Sequence, residues 1–180
     1  GMRGWHDFLA LAHSVEATAL ASRENELCAQ DAINIQYTSG TTGFPKGATL
    51  THRNILLNAY YVGDCQRLTE HDGICISVPF YHCFGCVLGT LCAAVYGAAM
   101  IVPHEYFKPE ESLAAIEQYQ ATAVYGVPTM FIAMLNHPKL ASYDLTSLKF
   151  CLSGGAPLLL ETKQRFETLT GCKVVEAYGL

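Results

Sequence analysis

Residues 73–103 contain no Asp, Glu, Lys or Arg, and a run of that kind belongs either in a membrane or inside a packed core. Pro79, Gly85, Gly89, Gly97 and Pro103 interrupt it. They divide it into a β-rich piece (Ile74–Val78), a helix-length piece (Cys86–Tyr96) and a further strand (Ala98–Val102). A strand, a helix and a second strand, all apolar, describe a βαβ unit whose strands are covered on both faces. The run therefore predicts a buried unit of an α/β fold and no transmembrane segment.

The rest of the chain keeps the alternation. Trp5 to about Ala21 reads as an apolar-rich helix, followed by a polar linker from Ser22 to Gln30, so residues 1–30 form a helix and linker ahead of the α/β unit at 31–180. The alternating stretch from Ala32 to Tyr37 reads as a strand. Thr51 is a plausible N-cap for a helix with Ile55, Ala59 and Val62 on one face. Pro109 with Glu110 and Glu111 opens another helix, Ala121–Val127 is a buried strand, and Pro128 starts a short helix to about Asn136. Lys149–Ser153 and Cys172–Ala177 are the remaining strands. Between them a helix begins at Pro157, with Leu159, Thr162, Phe166 and Leu169 on one stripe, a Glu161–Arg165 surface pair and closure at Gly171. This order predicts a mostly parallel sheet with helices on both faces.

Ligands of such sheets bind beyond the carboxyl ends of the strands. The most chemically suggestive run is Tyr37-Thr38-Ser39-Gly40-Thr41-Thr42-Gly43-Phe44-Pro45-Lys46-Gly47, directly after the first strand. Glycines let backbone N–H groups approach an anion, hydroxyls donate to phosphate oxygens, and Lys46 adds a point charge. It is no Walker A loop, because Pro45 stands where the second glycine belongs and Gly47 follows the lysine. The alternative is a surface loop that binds nothing. His82, Gly154-Gly155 and Tyr178 also follow strands, so four loops are expected to converge on one rim.

The run resembles the phosphate-binding signature of the adenylate-forming enzymes, which include acyl-CoA and aryl-CoA synthetases, luciferases and peptide-synthetase adenylation domains. Pro79-Phe80-Tyr81-His82-Cys83-Phe84-Gly85 is similar to that family's aromatic/histidine motif. Ser153-Gly154-Gly155-Ala156-Pro157 resembles its adenine wall, and Glu176-Ala177-Tyr178-Gly179-Leu180 the start of its adenine-stacking motif. The resemblance spans roughly residues 30–180 and is nearest to fatty acyl-CoA synthetases. It implies the large N-terminal domain of that fold and a reaction of carboxylic acid with ATP to acyl-adenylate, then transfer to CoA. It also implies that Mg²⁺ offsets phosphate charge, that Thr38, Ser39, Gly40, Thr41, Thr42, Gly43, Phe44, Pro45 and Lys46 clamp phosphates, and that Gly154, Gly155, Ala156, Pro157, Glu176, Ala177, Tyr178 and Gly179 hold the nucleotide. Lys46 and His82 would act at the reacting centre, with Tyr81, His82 and Phe84 between nucleotide and acyl chain. Tyr125, Gly126, Val127 and Pro128 either line the acyl pocket or form a plain buried strand end, and His82 has the alternative of a histidine packed without a role. The family's last motif continues past Tyr-Gly-Leu to a magnesium-holding glutamate. Its ribose aspartate and mobile C-terminal domain come later still. The chain is therefore expected to be a fragment, truncated in its adenine motif and unable by itself to make acyl-adenylate.

Composition narrows the rest. The chain is 51% hydrophobic with a mean hydropathy of +0.20, more apolar than an average soluble domain. Apolar surface left for other segments to cover would explain the excess, and self-association is expected from it. A net charge of −5 with scattered Lys and Arg gives no nucleic-acid footprint. The eight cysteines lack disulfide-scaffold spacing and predict a reduced, cytoplasmic setting. Cys83 and Cys86 beside His82 admit a metal or redox reading, with His71 and Cys75 as recruits, but packing cysteines suit their apolar context better and no bound metal is predicted. Peptide-synthetase adenylation domains usually place an aspartate near the position of His82 to meet the substrate's amine; residues 79–86 hold no carboxylate, so a substrate without an amine is favoured over that nearest rival within the family. A non-catalytic nucleotide-binding or interaction module is the remaining alternative.

Overall fold

A computed structural model describes residues 3–38 and 43–179. The central element is a five-stranded sheet in the order β4-β3-β5-β6-β7, every neighbouring pair parallel. Its strands are β3 (Gly73–Ile76), β4 (Ala99–Ile101), β5 (Ala123–Gly126), β6 (Phe150–Gly154) and β7 (Lys173–Ala177). The chain enters at β3, steps to β4 on one side, then crosses to β5 on the other and continues outward. Helices cover both faces of this α/β fold because β3 and β5 are buried at every residue, which parallel strands achieve only with a layer on each side.

The two layers follow from the period of two along the strands. Cys75, Val124 and Cys151 point into one core with α5 (Pro109–Tyr119), α6 (Pro128–Leu135) and α7 (Leu160–Thr170). Ile74, Ile76, Tyr125 and Leu152 point into the other, beneath α3 (His52–Gln66), a π-helical segment Phe84–Leu91 and α4 (Cys92–Tyr96). Thr51 caps α3 as expected, with its hydroxyl accepting from Asn54 N and the Asn54 side chain returning to Thr51 N.

Several expectations change. The strand at Ala32–Thr38, β1, lies outside the parallel sheet and pairs antiparallel with β2 (Lys46–Thr51) in a separate hairpin. The short Ala48-Thr49-Leu50 concealed that partner. The N-terminal helix divides into α1 (Trp5–Ala10), a 3-10 turn Leu11–Ser14 and α2 (Ala17–Glu26), so helix extends into the expected linker. The helix expected from Pro157 begins at Leu160, because Gly155 takes φ +84° and turns the chain first. Its buried stripe is Thr162, Phe166 and Thr170, whereas Leu159 and Leu169 are exposed. Among the described residues Glu161 and Arg165 form no ion pair, as is common for long side chains hydrated on an exposed helix face. No helix is long and apolar enough to cross a membrane among the described residues.

Candidate functional site

Where β4 and β5 leave β3 in opposite directions, the connections part and open a crevice beyond the carboxyl ends of β3 and β5. His82 lies in the loop after β3 and Val127 in the loop after β5. The next two strands extend the same rim, since Gly126 pairs with Ser153 and Gly154 with Ala177. Gly154–Pro157 and Ala177–Gly179 therefore come to the edge that carries His82 and Val127.

The rim is built by close approach. A Cβ on Gly85 would meet the Pro79 carbonyl oxygen at 2.3 Å, so only glycine lets the π-helical segment start this close to the loop before it. Phe84 is buried against Tyr125 with ring centroids 5.9 Å apart, and its Cε1 would lie 3.2 Å from a Cβ on Gly154. This one ring joins the segment after β3 to the carboxyl ends of β5 and β6. Its backbone N–H donates to Nδ1 of His82 at 3.1 Å, which assigns the neutral imidazole a proton on Nε2 and leaves that N–H for a ligand. Gly155 takes φ +84°, where an added Cβ would lie 3.5 Å from Val127 Cγ1, and Leu158 N–H donates to the Glu176 carboxylate at 3.2 Å. Ala156, Pro157, Tyr178 and Gly179 are exposed, with Tyr178 at 90%.

The hairpin reaches this rim from the side. Gln36 Nε2 donates to the Tyr81 carbonyl at 3.2 Å, and Asn34–Tyr37 with Phe80, Tyr81, His82 and Cys86 enclose a cavity of about 430 Å³. Thr38 pairs with Lys46 across the base of the hairpin loop, and Thr38, Gly43, Phe44, Pro45 and Lys46 are exposed. Ser39, Gly40, Thr41 and Thr42 lie outside the described residues. Two buried polar oxygens have no partner among the described residues, Asn34 Oδ1 in the wall of this cavity and Ser153 Oγ beside Gly154. Such groups normally find a ligand or water.

A larger cavity of about 1110 Å³ runs along the sheet face beneath α3, from Cys83, Ala177, Tyr178 and Gly179 at the rim to Arg67, Thr69, Asp72, Lys149 and Lys173 at the opposite end. Its middle is apolar, walled by Val62, Val87, Leu88, Leu152 and Val175. The sequence reading did not anticipate this wall. Its signal lay in two periodicities, Asn54, Asn58, Tyr61 and Cys65 at helical spacing on α3, and Phe150, Leu152, Val175 and Ala177 on one face of β6 and β7.

Tyr125 sits in the packed interior of the sheet. It is fully buried with its hydroxyl bonded to Gln66 of α3, and burial pushes its phenol well above the usual range. Gly126 is buried with it, Val127 is half-buried at the rim, and Pro128 is the first residue of α6. For the cysteines, Cys75 is buried with its thiol pushed up to about 12, and no group of three His, Cys, Asp or Glu side chains converges among the described residues. The donors on the rim, hydroxyls, glycine N–H groups and a lysine, suit phosphate.

The parallel sheet and the glycine turns of its rim have the architecture of the adenylate-forming class. The AMP-binding enzyme family matches residues 5–180, and the chain belongs to that family. It is 46% identical over 180 residues to a putative acyl-CoA synthetase, YngI, of Bacillus subtilis (strain 168), covering 99% of this chain and 33% of that protein. It is 41% identical over 178 residues to the mitochondrial medium-chain acyl-CoA ligase ACSF2 of Danio rerio, covering 96% and 29%. ATP-bound MatB from Rhodopseudomonas palustris superposes with a TM-score of 0.74 at 32% identity, over 86% of this chain and 30% of that one. The chain spans about a third of the length of the relatives it matches.

Proposed function

We propose that this chain forms the nucleotide and acid site of an AMP-forming acid–thiol ligase, in which a carboxylic acid, a medium- or long-chain fatty acid above all, reacts with ATP to give acyl-adenylate and pyrophosphate before transfer to CoA. The observation that carries the reading is the largely apolar cavity of about 1110 Å³ lined at the rim by Cys83 and Tyr178, next to the exposed His82. An acyl chain lying along β6 and β7 would bring its carboxylate to that rim, where the nucleotide motifs converge.

The acid oxygen must attack the α-phosphate and expel pyrophosphate, so negative charge grows on the leaving group. The hairpin loop is suited to bind that group, with Thr38, Ser39, Thr41 and Thr42 as hydroxyl donors, Gly40 and Gly43 shaping the loop with Phe44 and Pro45, and Lys46 as the fixed cation. Mg²⁺ fits this site as an ion carried on the phosphates, because a hydroxyl and lysine set is no carboxylate cage. Its contribution would be to offset phosphate charge. Tyr178, exposed at the end of β7, offers a face to adenine against Gly154, Gly155, Ala156 and Pro157, with Glu176 holding the turn to Leu158 and Ala177 and Gly179 beside it. His82, oriented by Phe84 N–H and flanked by Tyr81, donates from Nε2 to the carboxylate or the phosphate it attacks. The lack of a carboxylate in residues 79–86 supports an acid without an amine.

The test is ATP–pyrophosphate exchange by the full-length protein, with acids from butanoic to octadecanoic. Acid-dependent exchange supports the reading, and nucleotide binding without exchange replaces it with a non-catalytic nucleotide-binding module. The 180-residue chain alone is expected to give only background exchange.

A further inference from the structure

The far end of the large cavity does not match the simple fatty acid that its middle would hold. Arg67, Lys149 and Lys173 gather there with Asp72, and Lys149 is already engaged, its Nζ 2.8 Å from Asp72 Oδ1. Among the described residues neither Arg67 nor Lys173 makes an ion pair. The local balance is therefore two uncompensated cations at the solvent-exposed far end of an apolar path. Their positions are set by the backbone. Arg67 ends α3 in the left-handed conformation (φ 54°), and Lys173 begins β7 opposite Phe150, on the strand face that continues through Val175 and Ala177.

The register also gives the length. From Lys173 to Ala177 is four residues of strand, roughly 13 Å at the usual rise, which matches an extended alkyl chain of about ten to twelve carbons between two end groups. A methyl terminus at that depth would press against the charged heads of Arg67 and Lys173 and displace their water without replacing its hydrogen bonds. A carboxylate at that end could accept from both cations, and charge-assisted hydrogen bonds of this kind are stronger than neutral ones.

We propose that the far end of this cavity selects acids carrying a second, terminal carboxylate, so that the preferred substrates are α,ω-dicarboxylic acids of about ten to twelve carbons, held at one end by Arg67 and Lys173. The inference rests on the ligase reading above. It adds that Arg67 and Lys173 determine specificity without touching the reacting atoms.

The test compares acid-dependent pyrophosphate release by the full-length protein with dodecanoic acid, dodecanedioic acid and the short hexanedioic acid. The expected result is a kcat/KM for dodecanedioic acid about tenfold or more above that for dodecanoic acid, with the ratio falling as salt screens the contact. Hexanedioic acid should gain nothing, because its second carboxylate cannot reach the far end. The double variant Arg67→Met, Lys173→Met should lower the ratio of diacid to monoacid at least tenfold. Direct titration of dodecanedioic acid into the same proteins separates binding from turnover and should show the same loss. Activation of dodecanoic acid with no advantage for the diacid, or an advantage that survives the double variant, overturns the inference and leaves the ligase reading standing. Activation of none of the acids overturns both.

Discussion

Asp72 is the structural anchor of the end of the sheet opposite the rim, and its charge can be tested quantitatively. Its carboxylate is 5% exposed and accepts from Thr69 N and Thr69 Oγ1 at 2.9 Å each and from Thr122 Oγ1 and Lys149 Nζ at 2.8 Å each. These bonds tie the starts of β3, β5 and β6. Burial alone would push the carboxyl up, but Lys149, Thr122 and Thr69 outweigh it and bring the group from 3.8 down to about 2. At about 1.4 kcal/mol per unit that difference corresponds to roughly 2.5 kcal/mol. The Lys149 side chain is 61% exposed, so water screens part of it and about 1.5–2 kcal/mol is the working figure. The folded-state value lies below the unfolded one. The contribution is therefore complete above the ordinary carboxyl range and is lost as pH falls through about 2. Asp72→Asn removes the charge and turns an N–H₂ group toward at least one donor, which costs about 1 kcal/mol more. Urea unfolding of wild type and variant should show the variant roughly 2–3 kcal/mol less stable at pH 7. The gap should close by about 1.2–1.7 kcal/mol between pH 5 and pH 2, most of the contribution. A gap that stays constant over that range would refute the assignment of this stability to the ionised carboxylate.

Gly85→Ala should lower stability by about 1–3 kcal/mol, because the new methyl meets backbone atoms of Pro79 and Val78 within 3 Å. By displacing His82 it should also slow pyrophosphate exchange about 100-fold; an active, fully stable variant would show that the tight start of the π-helical segment is dispensable. Thr51→Ala should cost about 1 kcal/mol in urea unfolding, since it removes one half of the Thr51–Asn54 capping box. The 180-residue chain should self-associate at micromolar concentration, with exposed Trp5, Phe8, Val15, Leu20 and Val175 as contact surface. Sedimentation showing a clean monomer would count against it.

The parallel sheet was legible because its strands are buried on both faces, which leaves long apolar runs that glycine and proline divide cleanly. Ile74–Val78 and Lys149–Ser153 needed no partner to be identified as strands. The hairpin was only half legible. Lys46–Thr51 mixes threonine, glycine and a single leucine, and most of both strands is exposed and none of either buried, so neither periodicity nor apolar content marked β2. Its identity depends on pairing with β1, a relation between residues up to nineteen apart, which no local window contains. Helix ends failed for a related reason. Pro157 is a good first residue for a helix, but Gly155 at positive φ and the bond from Leu158 to Glu176 reserve that segment for the rim.

The site divides in the same way. Its motifs sit in loops and at strand ends, where glycine, hydroxyl and histidine spacing can be read locally, so the sequence could place His82, Gly154 and Tyr178 after their strands. The large cavity belongs to no single segment. It exists because α3 follows the antiparallel hairpin and is laid across the sheet from that side, with its face at Asn54, Asn58, Tyr61 and Cys65 held away from Leu152 and Val175. Gly63 fixes that placement, since a Cβ there would stand 2.2 Å from the Tyr96 ring, and Tyr96 in turn donates its hydroxyl to the Tyr60 carbonyl at 2.7 Å. Helix α3 is thus pinned to α4 along one side, while Tyr125 and Gln66 hold its end to β5. The groove over β6 and β7 is the space this two-point attachment leaves open. A substitution such as Gly63→Leu, far from any motif, should therefore alter the acid accepted before it alters the nucleotide bound.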